Sequence, residues 1–275
     1  MSPDSPYFIA ELIVLLLAIG VAGGFLSGLL GVGGGILFVP ALYFCLTSIG
    51  VDAAHAMHIA VGSSLAIVSV TISTSALGHH RRDSVDIALI KSWGPFIVGG
   101  VVAGFLFASA VPGAVLKAIF AGLTLLIAFY MAFTGDRDIT AASYILPLKL
   151  QRAACVAIGM VSSMIGVGGA ILTVPLMSVI GTPMPRAIGT AAALGMLISF
   201  PGMLGYMATG MLHAGELPPW SAGYVNLLAV AAIIPASMLL APVGVKFSHT
   251  LDRRMLRRVF AMVLVIVSLR MFTTL

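Results

Sequence analysis

The sequence predicts an all-α integral membrane protein built from two inverted-topology repeats. Of its 275 residues, 60% are hydrophobic and 8% are charged, and the mean hydropathy is +1.14. A soluble domain has roughly a quarter charged residues, so this chain cannot form a water-facing shell. Its apolar runs are long, whereas strands of a membrane barrel would be alternating segments of about ten residues. The two further observations are a repeated glycine motif and the placement of positive charge.

Ten apolar segments divide into two sets of five, which predicts repeats over residues 1–138 and 139–275 of one transmembrane domain. A polar linker at 134–150 joins the halves. The first set is 7–30, 36–48, 53–77, 87–111 and 115–133, and the second is 151–165, 171–180, 186–211, 223–243 and 255–273.

Two glycine motifs support the repeat. Residues 31–40 read GVGGGILFVP, and residues 166–175 read GVGGAILTVP. We call 31–35 the first glycine knot and 166–170 the second. Further on, AVGSS at 60–64 corresponds to AIGTA at 187–191. The halves are therefore related in sequence as well as in hydropathy.

The basic residues predict that the halves are inverted. Twelve of the fourteen Lys and Arg lie near the loop after the third segment, near the central linker, at Arg186 or near the loop before the last segment. Cytoplasmic loops carry such an excess, which also explains the net charge of +5 without nucleic-acid binding. The second-half loop 213–220 has no Lys or Arg and is expected outside. Inverted repeats are frequent in secondary transporters, and both termini are expected on the periplasmic side.

The segments after the knots are too short to cross a membrane. A helix over 35–48 rises about 21 Å and one over 170–180 about 17 Å, against a hydrocarbon core of about 30 Å. We expect each to form a re-entrant or broken-helix hairpin with the segment before it, the two dipping in from opposite faces. About three spanning helices per repeat would surround them, giving 8–10 membrane segments. Ten continuous spans are the alternative.

The glycine knots are candidates for an anion site. Irregular backbone at membrane depth is tolerated only where it is buried in protein or lines a cavity. Each short helix begins at its knot, so its free N–H groups and the positive end of its dipole would face a ligand. The alternative is that the glycines permit close helix packing. Two inverted copies favour the substrate site.

Hydroxyl groups follow the corresponding glycines of the third and eighth segments. They can donate to the oxygens of an anion, or they can bond between helices or to their own preceding turn. Thr173, Ser27 and Ser162 are weaker candidates of the same kind. The expected substrate-binding residues are Gly31, Gly33, Gly34, Gly35, Pro40, Ser63, Ser64, Gly166, Gly168, Gly169, Ala170, Pro175 and Thr190.

Three basic side chains are candidates for substrate access or proton coupling. His55 and His58 are spaced i, i+3, but only Asp52 stands beside them, so no metal site is expected. A histidine near the outer face can transfer protons. Arg186 either draws anions toward an inner vestibule or is an ordinary cytoplasmic anchor. No cofactor is expected.

The paired knots, each followed by a proline and a Gly-Ser/Thr segment, resemble the TauE/SafE family, the sulfite exporter-like permeases. The resemblance covers nearly the whole chain. It implies a small bacterial inner-membrane permease for small anions such as sulfite, sulfoacetate and other organosulfonates. Ala170 stands where the first knot has Gly35, and Ser163 corresponds to Gly28, so the two tips are not equivalent.

The leading functional hypothesis is export of a small anion by alternating access. No Asp or Glu lies in the middle of a predicted span, and outward movement of an anion gains about 2.3 kcal/mol per charge per 100 mV. An importer or a channel-like facilitator is the alternative. An enzyme is disfavoured because no Gly-x-Ser-x-Gly, His-Glu-x-x-His or paired Cys occurs. A role as an accessory subunit is disfavoured because such a subunit would not need an inverted repeat. The expected partners are the anion and the bilayer, and the protein is a monomer or a homodimer.

Overall fold

The computed structural model describes residues 6–30, 34–80, 84–133, 146–248 and 253–274. This part of the chain forms ten α-helices, a 3₁₀ helix at Met211–Glu216 and a two-stranded hairpin. In the hairpin, β1 (Ser221–Ala222) pairs antiparallel with β2 (Val225–Asn226). The α-helices are α1 Pro6–Leu30, α2 Gly35–Ser48, α3 Ala53–His80, α4 Ile87–Ala110, α5 Gly113–Phe133, α6 Leu148–Met164, α7 Ala170–Val179, α8 Met184–Gly210, α9 Leu227–Ser248 and α10 Arg253–Thr273.

Six helices in the described part are long and apolar enough to cross a membrane: α1, α3, α4, α5, α8 and α9. This confirms an all-α integral membrane protein. In α3, 83% of the most apolar stretch is buried, compared with 28% in α1 and in α9. The molecule is therefore organised around α3, with α1 and α9 facing the lipid.

The short helices are as short as expected, but the set of spanning helices differs. Helix α2 has 14 residues and α7 has 10, so both fall short of the hydrocarbon core. Helix α1 has 25 residues and is long enough to cross by itself, rather than forming only a hairpin leg. Helix α10, expected as a full span, is not among the six, because basic residues at 253–258 and Arg270 interrupt its apolar run.

Helices of the first half pack closely against helices of the second half. Helix α1 packs most extensively along α9, and α4 packs along α6. Glycines spaced four residues apart make this close approach feasible, since an added Cβ would clash with the opposing backbone. In α1 and α9 the facing pairs are Gly20 with Ile233, Gly24 with Ser237 and Gly28 with Ala241. In α4 and α6 they are Gly100 with Val156, Gly104 with Met160 and, from the other side, Ile97 with Gly159.

The order of these contacts gives the helix directions. Both pairs run parallel, because residue numbers rise together along them. Helices α3 and α8 cross antiparallel, since Gly62 lies beside Tyr206 and Gly202 lies beside Leu65. The start of α3 and the end of α8 therefore share one end of the molecule, which we call the Asp52 end. The opposite end, where α4 begins, is the Asp86 end.

The two short helices return to opposite ends. Helix α1 runs parallel to α9 from the Asp52 end, and α2 ends at Ser48, just before α3 begins at that same end. Helix α6 runs parallel to α4 from the Asp86 end, and α7 ends at Val179, shortly before α8 begins there. That the two pairs are re-entrant hairpins of an inverted repeat stays a prediction. The division into repeats at 138/139 stays a prediction.

Candidate functional site

The two glycine knots meet in the interior of the protein. Gly35 is buried, and a Cβ added to it would lie 2.5 Å from the carbonyl oxygen of Gly166. Gly34 is buried against Phe38, and Gly168 is buried beside α3. The structure thus brings the described parts of both knots together. Gly31 and Gly33 lie outside the described residues.

Ser64 joins the knots. Its hydroxyl faces the carbonyl oxygens of Gly166, at 2.8 Å, and Gly35, at 3.2 Å, and it can donate its single proton to one of them at a time. The side chain is fully buried. A buried hydrogen bond of this kind stabilises by about 1 kcal/mol. Ser64 therefore holds the first residue of α2 next to the first residue of the second knot.

Both short helices begin without a side-chain cap. Gly34 precedes α2, and Gly169 precedes α7 in the left-handed conformation, with φ of 73°. Glycine adopts that conformation without strain. Within the described residues, the N–H groups of Ala170 and Ile171 at the start of α7 have no acceptor. The N–H groups of Gly35 and Ile36 at the start of α2 have none either in this part of the chain. These N–H groups carry the positive end of each helix dipole.

Ser162 adds an unused donor at the second knot. Its side chain is fully buried, and its hydroxyl has no hydrogen-bond partner among the described residues. The Oγ lies 3.2 Å from the position that a Cβ on Gly169 would occupy, so it stands beside the start of α7. Leaving a buried hydroxyl unpaired costs about 1–3 kcal/mol. A bound anion would supply the missing acceptor.

Ser63 and Thr190 have matched roles in holding helix starts. The Ser63 hydroxyl accepts a hydrogen bond from the Asn226 N–H at 2.9 Å, and the Thr190 hydroxyl accepts one from the Asp86 N–H at 2.9 Å. Asn226 and Asp86 also cap α9 and α4, since each side-chain oxygen accepts an N–H three residues on, at 2.9 and 3.0 Å. Both hydroxyls thus tie a helix start to the opposite half, as the helix-bonding alternative expected.

Pro40 and Pro175 lie within α2 and α7. Proline has no backbone N–H, so the carbonyl four residues earlier loses its helical partner. Those carbonyls belong to Ile36 and Ile171, in the first turn of each short helix. Pro40 is buried and Pro175 is half-buried. The prolines therefore leave polar backbone groups unpaired close to the knots.

The three basic candidates lie away from the knots. The Nε2 of His55 lies 3.3 Å from a carboxylate oxygen of Glu216, and the Nε2 of His58 lies 2.9 Å from the carbonyl oxygen of Ala108. Both histidines are in the first two turns of α3, at the Asp52 end. Arg186 is exposed in the first turn of α8, at the Asp86 end. Across the described ranges, no three His, Cys, Asp or Glu are grouped to hold a metal ion.

Lys117 has a role that the sequence analysis did not assign. Only 4% of it is exposed, and its ammonium donates to the Tyr43 hydroxyl at 3.0 Å and to the Thr274 carbonyl oxygen at 2.7 Å. The sequence feature that could have identified Lys117 is its position. It is the sole Lys or Arg in the fifth apolar segment, away from the basic loops.

Comparisons with known proteins agree on one group of relatives. The family model described as Sulfite exporter TauE/SafE matches residues 16–271. A probable membrane transporter protein of Haemophilus influenzae is 31% identical over 260 residues, covering 94% of this chain and 98% of the relative. One of Methanocaldococcus jannaschii is 27% identical over 274 residues, covering 94% and 95%. The probable membrane transporter protein YunE of Bacillus subtilis is 24% identical over 275 residues, covering 92% and 93%. No solved structure matches.

Proposed function

Because the chain belongs to the sulfite exporter TauE/SafE family of membrane transporters, we propose that it exports sulfite or an organosulfonate such as sulfoacetate across the bacterial inner membrane. The family supports transport of a small anion. The direction and the place of binding rest on the chain's own residues. An importer or a channel-like facilitator of a small organic anion is the second candidate.

The observation that carries the proposal is the meeting of the two glycine knots. Helices α2 and α7 come from opposite ends of the molecule, and Gly35, where α2 begins, meets Gly166, the first residue of the knot that precedes α7, at Ser64. Their uncapped N–H groups and the unpaired hydroxyl of Ser162 supply hydrogen-bond donors. A sulfite or sulfonate group has three oxygens that accept such bonds. Half-helix N-termini that point at an anionic group are a recurring device of transporters.

The same arrangement suits alternating access. The α1–α2 and α6–α7 pairs open toward opposite ends, and each packs on a helix of the other half. Rocking of one such unit against the rest would expose the knots first to one side and then to the other. In this scheme the glycine stripe of α1 against α9 and the glycines of α4 against α6 are the surfaces that slide, because they lack side chains that interlock.

The driving force follows from charge. The described part of the spanning helices has no Asp or Glu near its centre, and proton-driven carriers commonly use such a carboxylate. With the cell interior negative, an anion moving outward gains about 2.3 kcal/mol per charge per 100 mV. Export therefore needs no coupled ion, whereas uptake would.

Flux in liposomes tests the proposal. The purified protein is reconstituted, and uptake of sulfite, sulfoacetate, taurine, thiosulfate and lactate is measured with a positive lumen and then with no potential. We expect sulfite or a sulfonate to enter fastest, with the positive lumen accelerating it. If no anion moves, the proposed function is wrong. If a proton gradient and not the potential accelerates uptake, coupled import replaces export.

Two neighbouring serines test the site. Ser162→Ala removes a hydrogen bond to a charged group, worth about 1.5–3 kcal/mol, so the substrate KM should rise about ten- to hundredfold. Ser163→Ala is the matched control, because the Ser163 hydroxyl donates to the Met160 carbonyl oxygen of its own helix at 2.9 Å. It should change KM less than threefold. Equal KM values in the two variants would place the anion elsewhere.

A further inference from the structure

A cavity lined in part by polar side chains lies at the Asp52 end, apart from the glycine knots. Its volume is about 480 Å³, and it lies between the starts of α3 and α5, with the 3₁₀ helix and the β-hairpin beside it. A water molecule takes about 30 Å³, so the cavity has room for a small oxyanion with several waters. The polar side chains on its wall include His55, His58, Lys117, His213 and Tyr224.

Lys117 contributes a buried charge with neutral partners. Its ammonium contacts the Tyr43 hydroxyl and the Thr274 carbonyl oxygen, and it lies 5.0 Å from the centre of the Tyr43 ring. Within the described ranges, no carboxylate lies within ion-pair distance of it. A buried ion costs several kcal/mol unless an opposite charge and hydrogen bonds offset that cost. The cavity beside Lys117 is where such a counter-ion fits.

The start of α5 adds positive potential to the same wall. Helix α5 begins at Gly113, and a Cβ on that residue would lie 2.4 Å from the Ala54 carbonyl oxygen in the first turn of α3. Gly113 and Ala114 both line the cavity, and their N–H groups donate to no acceptor in the described part of the chain. The positive end of the α5 dipole therefore reaches the cavity, whereas the start of α3 beside it is capped by the Asp52 carboxylate.

The remaining titratable groups on the wall are three histidines and a tyrosine. The rings of His55, His58 and His213 lie 6.1, 5.0 and 5.8 Å from the ring of Tyr224. The His213 Nδ1 lies 3.1 Å from the Tyr224 hydroxyl, and the Nδ1 of His55 is buried with no partner among the described residues. The carboxylate of Glu216 lies 3.3 Å from the His55 Nε2, but its side chain is 66% exposed and is not part of the cavity wall.

Besides Glu216 and the exposed Glu11 of α1, the described chain has Asp52 at this end. Its side chain is exposed, and one carboxylate oxygen accepts the Ala54 N–H at 2.9 Å, so it caps α3. Neither Asp52 nor Glu11 is part of the cavity wall. Among the described residues, the cavity wall therefore presents the Lys117 ammonium and the start of α5, and it includes no carboxylate.

We propose that this cavity is an anion-binding site for a small oxyanion, with Lys117 as the counter-ion. The site is distinct from the knots, since His58 lies six residues before Ser64 on α3, or about 9 Å along the helix. Binding at the cavity does not depend on the proposed transport function. Its role as the outer release site of an exporter does rest on that function and on the predicted orientation.

Equilibrium binding of ³⁵S-sulfite to the full-length purified protein, under anaerobic conditions, tests the proposal. Lys117→Met should weaken one class of site at least tenfold. Lys117→Arg, which keeps the charge, and Tyr43→Phe, which keeps the lysine, should change its Kd less than threefold. Sulfite binding by Lys117→Met equal to that of the wild type would overturn the proposal. So would an equal loss in Tyr43→Phe, because that result would assign the effect to packing.

A second pair of variants decides the matter if Lys117→Met does not fold. Ala114→Asp places a carboxylate on the exposed rim where α5 begins, and Ala114→Ser is its neutral match. The aspartate should weaken sulfite binding at least tenfold and the serine less than threefold. Equal binding by the two variants would overturn the proposal. Ser162→Ala, measured in parallel, should leave this class of site intact, so failure of the knot site and failure of the cavity site are separable.

Discussion

Neighbouring hydroxyls on α3 serve two different parts of the protein. Successive residues of a helix point about 100° apart, so Ser63 and Ser64 cannot share a partner. Ser63 accepts from the backbone before α9, whereas Ser64 faces the two knots. The sequence marked both as candidates because each follows a conspicuous glycine. It could not separate their roles, because the partners lie up to 163 residues away.

Removing the Ser64 hydroxyl should loosen the contact between the knots. Ser64→Ala is expected to cost about 1 kcal/mol, because the one buried donor that the two carbonyl oxygens share is lost. For a chain of this size that corresponds to a fall of about 2–4 °C in the melting temperature measured in detergent. Ser73→Ala is the control, since the Ser73 hydroxyl donates only to the Ser69 carbonyl oxygen of its own helix. Equal melting temperatures for the two variants would contradict the bridging role.

Lys117 shows what the sequence could not reveal at this scale. The sequence shows only that it is a single basic residue within an apolar segment, away from the basic loops. Its burial depends on Tyr43 and Thr274, which come from α2 and from the residue after α10. Three distant segments therefore create the environment, and no local pattern encodes their meeting.

The helix pairs depend on stripes of small residues. In α1, Gly20, Gly24 and Gly28 recur every four residues and line one face, a pattern that is visible in the sequence. The identity of the facing helix is not visible, because in a membrane the partner of a small-residue stripe is decided by the packing of the whole bundle. The sequence predicted the lengths of α2 and α7 for a simpler reason, since length is read directly from the apolar run.

A pair of adjacent glycines in α4 tests the close approach. A Cβ on Gly100 would lie 2.1 Å from the Val156 carbonyl oxygen, whereas a Cβ on Gly99 would meet nothing within 4 Å. Gly100→Ala should therefore destabilise the protein by about 1–3 kcal/mol, as overpacking does. Gly99→Ala should leave the melting temperature unchanged or raise it slightly, because alanine favours helix. A stable Gly100→Ala variant would show that α4 and α6 separate without cost.

At the scale of the whole molecule, the charge pattern and the fold lead to one orientation. The described basic residues Lys149, Arg152 and Arg186 lie at the Asp86 end, which by the positive-inside rule is expected in the cytoplasm. The Asp52 end, with the Lys117 cavity, is then periplasmic. This assignment came from sequence alone, because a topology rule needs only loop composition.

Cysteine labelling tests that orientation. Cys45 and Cys155 are buried and free, so their replacement by alanine gives a suitable background. Leu212→Cys, at a position that is 85% exposed at the Asp52 end, should react with a membrane-impermeant maleimide in intact cells. Gly78→Cys, near the other end of α3, should react only after permeabilisation. The reverse pattern of labelling would place the Lys117 cavity in the cytoplasm.

The exchange of helices between the halves also has a consequence for biosynthesis. Helix α1 leaves the ribosome first, but the surface that covers its glycine stripe belongs to α9, which is made about two hundred residues later. Helix α4 is likewise synthesised before α6, the helix that packs against it. Insertion into the bilayer can proceed helix by helix, but the final packing must follow synthesis of nearly the whole chain. A truncated product that ends before α9 therefore leaves its earliest helix without its partner, and a membrane protease that recognises unpartnered helices would find it there.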